Sequence, residues 1–184
     1  LELRRKETII YGGVPALMFA YTYPEYIRAV IADGTSAEVN LIAAKNWRLL
    51  AEKTIATGKD ATEHVVLPGT VKGEKAGEFQ VGTAALTARY DVRARFALFL
   101  EFSNLYEHPI TPHLSKITCP VLVIHGEDDK LVGPGGAVKI ARAIPGAKLK
   151  ILPGAGHTVL STAPELARRE TLDFIGSIGS MSGM

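Results

Sequence analysis

The run Pro120 to Ile124 carries no polar side chain and stops at His125-Gly126. A strand with one wet face alternates apolar and polar residues. An unbroken apolar run of this length belongs to a strand covered on both faces, which points to a parallel sheet lying between helices. Ile27 to Ala32, ending at the turn signal Asp33-Gly34, reads the same way, and Glu7 to Ile10 and Leu149 to Leu152 supply two shorter strands.

The segments between these strands have helical spacing. Ala16, Leu17, Ala20 and Tyr23 fall three to four residues apart after Pro15, and Pro24 ends that pattern. A helix is expected from about Gly136 to Ile144, closed by Pro145-Gly146, and a last one from about Ala163 to Ile175, with Thr162 and Glu165 at capping-box spacing. The small, polar tail Gly176 to Met184 is expected to fray. Strands alternating with helices make parallel βαβ units, so the expected class is α/β, a mostly parallel sheet with flanking helices.

One stretch departs from this rhythm. From Thr35 to about Tyr90 a helical stripe of Leu41, Ala44, Trp47, Ala51 and Ile55 is followed by the glycine- and charge-rich segment Gly58 to Gly82, which reads as a mobile insertion. A second stripe, Val92, Phe96, Phe99, Phe102 and Tyr106, ends at His108-Pro109. It is apolar enough to cover a pocket, and ordinary core packing explains it equally well. The expected organisation is a single domain over residues 1–184 with a helical lid inserted at about 36–108.

Composition narrows the partners. With 21 basic and 19 acidic residues among 184, the net charge of +2 is spread along the chain and leaves no basic footprint for nucleic acid. No apolar run reaches the ~18 residues of a membrane span. The single cysteine, Cys119, excludes an internal disulfide and a cysteine zinc cluster, and fits a cytoplasmic protein. No metal or organic cofactor is implied, since Gly12-Gly13 is too short for a dinucleotide fingerprint.

The stretch Pro-Val-Leu-Val-Ile-His-Gly-Glu-Asp-Asp-Lys-Leu-Val, followed 28 residues after Asp129 by His157 in Pro-Gly-Ala-Gly-His, resembles the α/β-hydrolase family. The resemblance implies that Asp129 is the acid and His157 the histidine of a catalytic triad. The chemistry of such a pair stands apart from the name: a carboxylate accepting from one imidazole nitrogen fixes the tautomer and leaves the other free to take a proton. Asp33 is a second candidate for the acid, weighted below Asp129. His64, His108, His113 and His125 have no acid at matching spacing and read as surface or core.

Gly12-Gly13-Val14-Pro15-Ala16-Leu17 through Tyr23-Pro24-Glu25 is similar to the family's helix behind the nucleophile, which is entered through a sharp G-x-S-x-G turn. Aligning Gly12-Gly13 without a gap places Ile10 where the nucleophile serine stands. The backbone amide of Tyr11 then falls on half of the oxyanion hole. Isoleucine has no atom that attacks a carbonyl, and Ser36, Ser103 and Ser161 do not sit in elbow-like turns. The resemblance covers most of this chain but about the second half of the family's fold, so the expected architecture is a truncated α/β-hydrolase fold.

Two expectations follow. The strand Glu7 to Ile10 becomes an exposed sheet edge that invites pairing, so a homo-oligomer or a completing chain is expected there. The function implied by the resemblance is a carboxylic ester or lactone hydrolase acting on a small apolar acyl compound, with Ile10 setting activity in doubt. Its alternatives are a non-catalytic descendant that binds a small ligand, and a truncated or frame-shifted remnant, to which the Leu1 start and the family-unlike stretch up to Ile10 point.

Overall fold

The computed structural model describes residues 8–58, 91–129 and 132–181. Most of the glycine-rich segment Gly58 to Gly82, together with His64, and the start Leu1 to Glu7 lie outside the described residues. The chain divides into two compact units, one made of Leu1–Ala37 with Ile110–Met184 and the other of Glu38–Pro109.

The first unit holds a four-stranded sheet in the order β1-β2-β3-β4, formed by Thr8–Gly12, Ile27–Asp33, Val121–Gly126 and Lys148–Leu152. All neighbouring strands are parallel. Every residue of β3 is buried, as its unbroken apolar run requires. Alternation along the strands divides the core. Ala29, Ile31, Leu122 and Ile124 meet Ala167, Phe174 and Ile178 of a long helix, Pro164–Met181. Val30, Ala32, Val121 and Val123 point the other way. That face packs with helices α1, Val14–Thr22, and α4, Pro134–Ala143, whose Leu17, Ala20, Ala137 and Ile140 are fully buried. Burying a leucine or isoleucine such as Leu17 or Ile140 contributes about 1.5–3 kcal/mol.

The second unit contains helices α2, Leu41–Thr57, and α3, Val92–Asn104. Asn40 accepts a hydrogen bond from the amide of Ala43 at 2.9 Å, and Asp91 accepts one from the amide of Arg93 at 3.1 Å, so each helix starts on a side-chain cap. The two pack through Leu50, Ala51 and Phe99, with the Trp47 ring 5.8 Å from Phe99 and 5.1 Å from Phe102. Leu41 and Ile55, expected on the packing stripe, are exposed, and Leu50 and Thr54 take the inner face.

The C-terminal end differs from expectation. A short helix α5, Val159–Thr162, precedes the last one, α6, Pro164–Met181, which continues through Gly176 instead of fraying there. The capping box does not form. Thr162 Oγ1 accepts from the amide of Gly156 at 3.0 Å and donates to the carbonyl of Thr158 at 2.9 Å. Ala163 starts α6 with its carbonyl, while Glu165 pairs with Arg168 at 2.8 Å. The threonine's hydroxyl is thus committed to the preceding loop. Among the described residues no helix is long and apolar enough to cross a membrane.

Two loops leave the C-terminal ends of β3 and β4 side by side. The amide of Glu127 donates to the carbonyl of Leu152 at 3.0 Å, and that of Asp128 to Ala155 at 2.9 Å. This crossing needs glycine at 126, because a Cβ there collides with the carbonyl oxygens of Ala155 and Gly156. Gly126→Ala is therefore expected to destabilise the chain by about 2 kcal/mol or more. The urea unfolding midpoint measures it, and an unchanged midpoint removes this account of the crossing.

Candidate active site

The β3 loop carries Asp129 and the β4 loop carries His157, so the two backbone hydrogen bonds between the loops also set the distance between these side chains. His157 Nδ1 lies 2.9 Å from Asp129 Oδ2. The carboxylate is fully buried, while the imidazole is about three-tenths exposed, with 29% of its side-chain surface in contact with solvent. The amide of Val132 donates to Asp129 Oδ1 at 3.1 Å.

A third group approaches the same carboxylate. His125 Nε2 is 3.0 Å from Asp129 Oδ2, and the ring is completely buried. The approach is close but off the line of a full hydrogen bond, and neither ring nitrogen of His125 has a hydrogen-bond partner among the described residues. The contact is therefore chiefly electrostatic. Burial works against ionisation of Asp129, but the side chains of His125 and His157 and the amide of Val132 outweigh it and hold the carboxyl well below the usual carboxylate range.

Of the two acids open from the sequence, Asp129 is the one brought to His157. Asp33 ends β2 opposite Ile124. Its neighbour Gly34, at φ +55°, lies beneath the histidine: a Cβ there would be 2.7 Å from the His157 carbonyl oxygen and 3.5 Å from Nδ1. Gly34 thus shapes the floor on which the imidazole rests, a role its reading as a turn residue did not disclose.

Ile10 and Tyr11 lie inside β1, in register with Val30 and Ile31. The strand continues to Gly12, and only Gly13 separates it from α1. Position 10 is therefore a strand residue, not part of a turn at a strand end. Ser36 follows β2, Ser103 is a buried residue of α3 and Ser161 lies in α5, none of them on the turn between β1 and α1.

The reading of His125 as a core histidine without an acid partner needs correction: it is core, and its partner is Asp129. The four-residue separation between 125 and 129 was the available signal, but it resembles helical spacing, and only the turn after β3 folds the carboxylate back over its own strand end. His113 stays at the surface, with Lys116 Nζ 3.3 Å from its Nδ1 and the Tyr21 ring 5.3 Å away. A groove along α6, lined by Glu165, Leu166, Arg168, Arg169, Leu172 and Asp173, includes neither Asp129 nor His157.

Comparison with known proteins identifies the family. Residues 11–163 match the family model Hydrolase_4, described as serine aminopeptidase, S33. A 2-(acetamidomethylene)succinate hydrolase of Mesorhizobium japonicum is 33% identical over 170 residues, which is 89% of this chain and 61% of that protein. A 2-hydroxy-6-oxo-6-phenylhexa-2,4-dienoate hydrolase of Burkholderia cepacia is 26% identical over 174 residues, 90% of this chain and 60% of its own length. The chain therefore spans about three-fifths of the length of these relatives. Among solved structures, the enol-lactonase of Burkholderia xenovorans superposes with a TM-score of 0.74 at 21% identity, over 88% of this chain and 61% of that one. A thermophilic esterase of Thermogutta terrifontis gives 0.76 at 21% identity, over 92% and 65%. These two likenesses show the fold.

The depressed Asp129 predicts an acid-sensitive contribution to stability. A carboxyl whose folded value lies below its unfolded one stabilises the fold fully above the unfolded value, about pH 4, and loses that contribution as the pH falls further. Asp129→Asn is expected to remove this part of the acid limb, so that its melting temperature drops less than the wild type's between about pH 5 and pH 2. Parallel thermal melts compare the two slopes. Glu170, held low chiefly by Lys150, is present in both proteins and cancels.

Proposed function

Because this chain belongs to the Hydrolase_4 family of α/β-hydrolases, we propose that Asp129 and His157 are the acid–base part of a carboxylic ester or lactone hydrolase site, with no nucleophile at position 10 and so no turnover by this chain alone. The observation that carries the reading is the 2.9 Å contact between His157 Nδ1 and a buried carboxylate. With Nδ1 committed to Asp129, Nε2 is the nitrogen that takes a proton from an attacking group and returns it to the leaving alkoxide. Asp129 holds the tautomer and balances the charge that forms on the ring.

The remaining parts of this reading are the same proposal carried outward. The insertion at about 36–108 is read as the lid that selects a small apolar acyl compound. The Tyr11 amide is the candidate oxyanion donor. The single cysteine supports a cytoplasmic setting. At the sheet edge, β1 pairs with a second copy or with a completing chain, since an unpaired edge presents a row of backbone donors and acceptors. Sedimentation velocity over a wide concentration range tests this last point: concentration-dependent association is expected, and a monomer throughout, with cooperative melting, sinks it.

A second reading, a descendant that binds its ligand without turning it over, is favoured by Ile10, which has no attacking atom and lies within a strand. Short-chain nitrophenyl esters, assayed against wild type and His157→Ala in parallel, separate the cases. Equal background in both proteins is expected from Ile10. A loss of about a hundredfold or more in His157→Ala would instead reveal a working nucleophile elsewhere. The substrate class is checked separately: short-chain esters and lactones are expected to shift the ring resonances of His157, and no shift with either removes the assignment.

A further inference from the structure

Asp129 Oδ2 is approached by two imidazoles, and the acid–base pair accounts for only one of them. The second, His125, is the last side chain of β3 before Gly126, fully buried and 3.0 Å away. An ionised carboxylate offers lone pairs only, so a bare ring nitrogen at that distance would be repelled. Nε2 of His125 must therefore carry its proton, and the positive end of that N–H lies beside Oδ2 without the alignment of a full hydrogen bond. A buried polar nitrogen short of a full partner is unfavourable, and an apolar side chain at the end of an otherwise apolar strand would avoid that cost.

We propose that His125 is a positioning residue of the site: its Nε2–H holds Asp129 Oδ2 in place from inside the sheet, so that the same oxygen receives Nδ1–H of His157 from outside. The inference rests on reading Asp129 and His157 as an acid–base pair. Three groups are seen to meet the carboxylate. The Val132 amide holds Oδ1 at 3.1 Å, His125 restrains Oδ2 from the strand, and His157 takes the direction that remains. Without His125 the carboxylate keeps one fixed oxygen and pivots about it. His157 then drifts from the Nδ1–H form toward the Nε2–H form, whose Nε2 has no lone pair to accept a proton.

The tautomer ratio of His157 is the readout, since packing alone does not set it. Ring nitrogen shifts of the whole chain, labelled with ¹⁵N-histidine and measured near pH 8, give this ratio. His157→Ala assigns the signal. Wild type is expected to show His157 mainly as Nδ1–H. His125→Leu, which removes the donor, is expected to lower the ratio of Nδ1–H to Nε2–H at least about fivefold. His125→Gln, whose amide reaches close to the original Nε2, is expected to keep it within about twofold. Should the leucine variant fail to fold, His125→Asn decides, because its shorter amide stops short of Oδ2.

An unchanged ratio in the variant that lacks a donor at Oδ2 overturns the assignment of His125 while leaving the pair intact. A wild-type His157 with no preference for Nδ1–H overturns the pair itself, and the role of His125 with it.

Discussion

Two backbone hydrogen bonds, from Glu127 to Leu152 and from Asp128 to Ala155, join the loop that follows β3 to the loop that follows β4. The site depends on them. Strands of a parallel sheet end in step, so the loops at their C-terminal ends are neighbours, but proximity alone does not fix two side chains to within a hydrogen bond. The amide-to-carbonyl contacts do so, and they exist only because Gly126 lets one chain cross the other at backbone distance. Thr162 tightens the same loop from the far side by accepting from the Gly156 amide, which is why its hydroxyl is not free to cap α6.

The electrostatics follow from this placement. A carboxylate taken out of water costs several kcal/mol, and each hydrogen bond to a charged group returns about 1.5–3 kcal/mol, so one partner does not keep Asp129 ionised. The Val132 amide and two imidazoles together do. The depressed carboxyl is thus a property of the loop architecture, and the Asp129–His157 contact is its exposed end. Gly34 completes the setting, since any side chain there would press on the His157 backbone and ring.

The β1 side of the sheet is built differently. Thr8 to Tyr11 are strand-forming residues, and β1 is in register with β2 from Ile9 through Gly12. Tyr11 and Ile10 are therefore held by the ladder, in a geometry that suits pairing more than it suits an exposed reactive turn. The β3 and β4 loops bring a buried carboxylate against an imidazole, whereas β1 stands at one end of the strand order.

Much of this was legible without coordinates, for identifiable reasons. Apolar runs announced buried parallel strands, because a sheet covered on both faces calls for the unbroken stretch Val121 to Ile124 in β3. Asp129 and His157 could be paired because both follow strands, and because glycine-flanked loops in the sequence carry them. The ends of helices were less legible: α6 runs past Gly176, since tertiary burial of Phe174 and Ile178 outweighs the weak helix propensity of glycine. Nor did the sequence show that Thr162 serves a loop, that Gly34 lies under an imidazole, or that His125 shares the carboxylate. By itself, then, the sequence determined the class of fold, through periodicity along the chain, and through its motifs it singled out Asp129 and His157 as residues to look for together. Tertiary structure alone decided which further groups surround that pair, because such contacts depend on how separate loops cross, and one-dimensional spacing contains no record of a crossing.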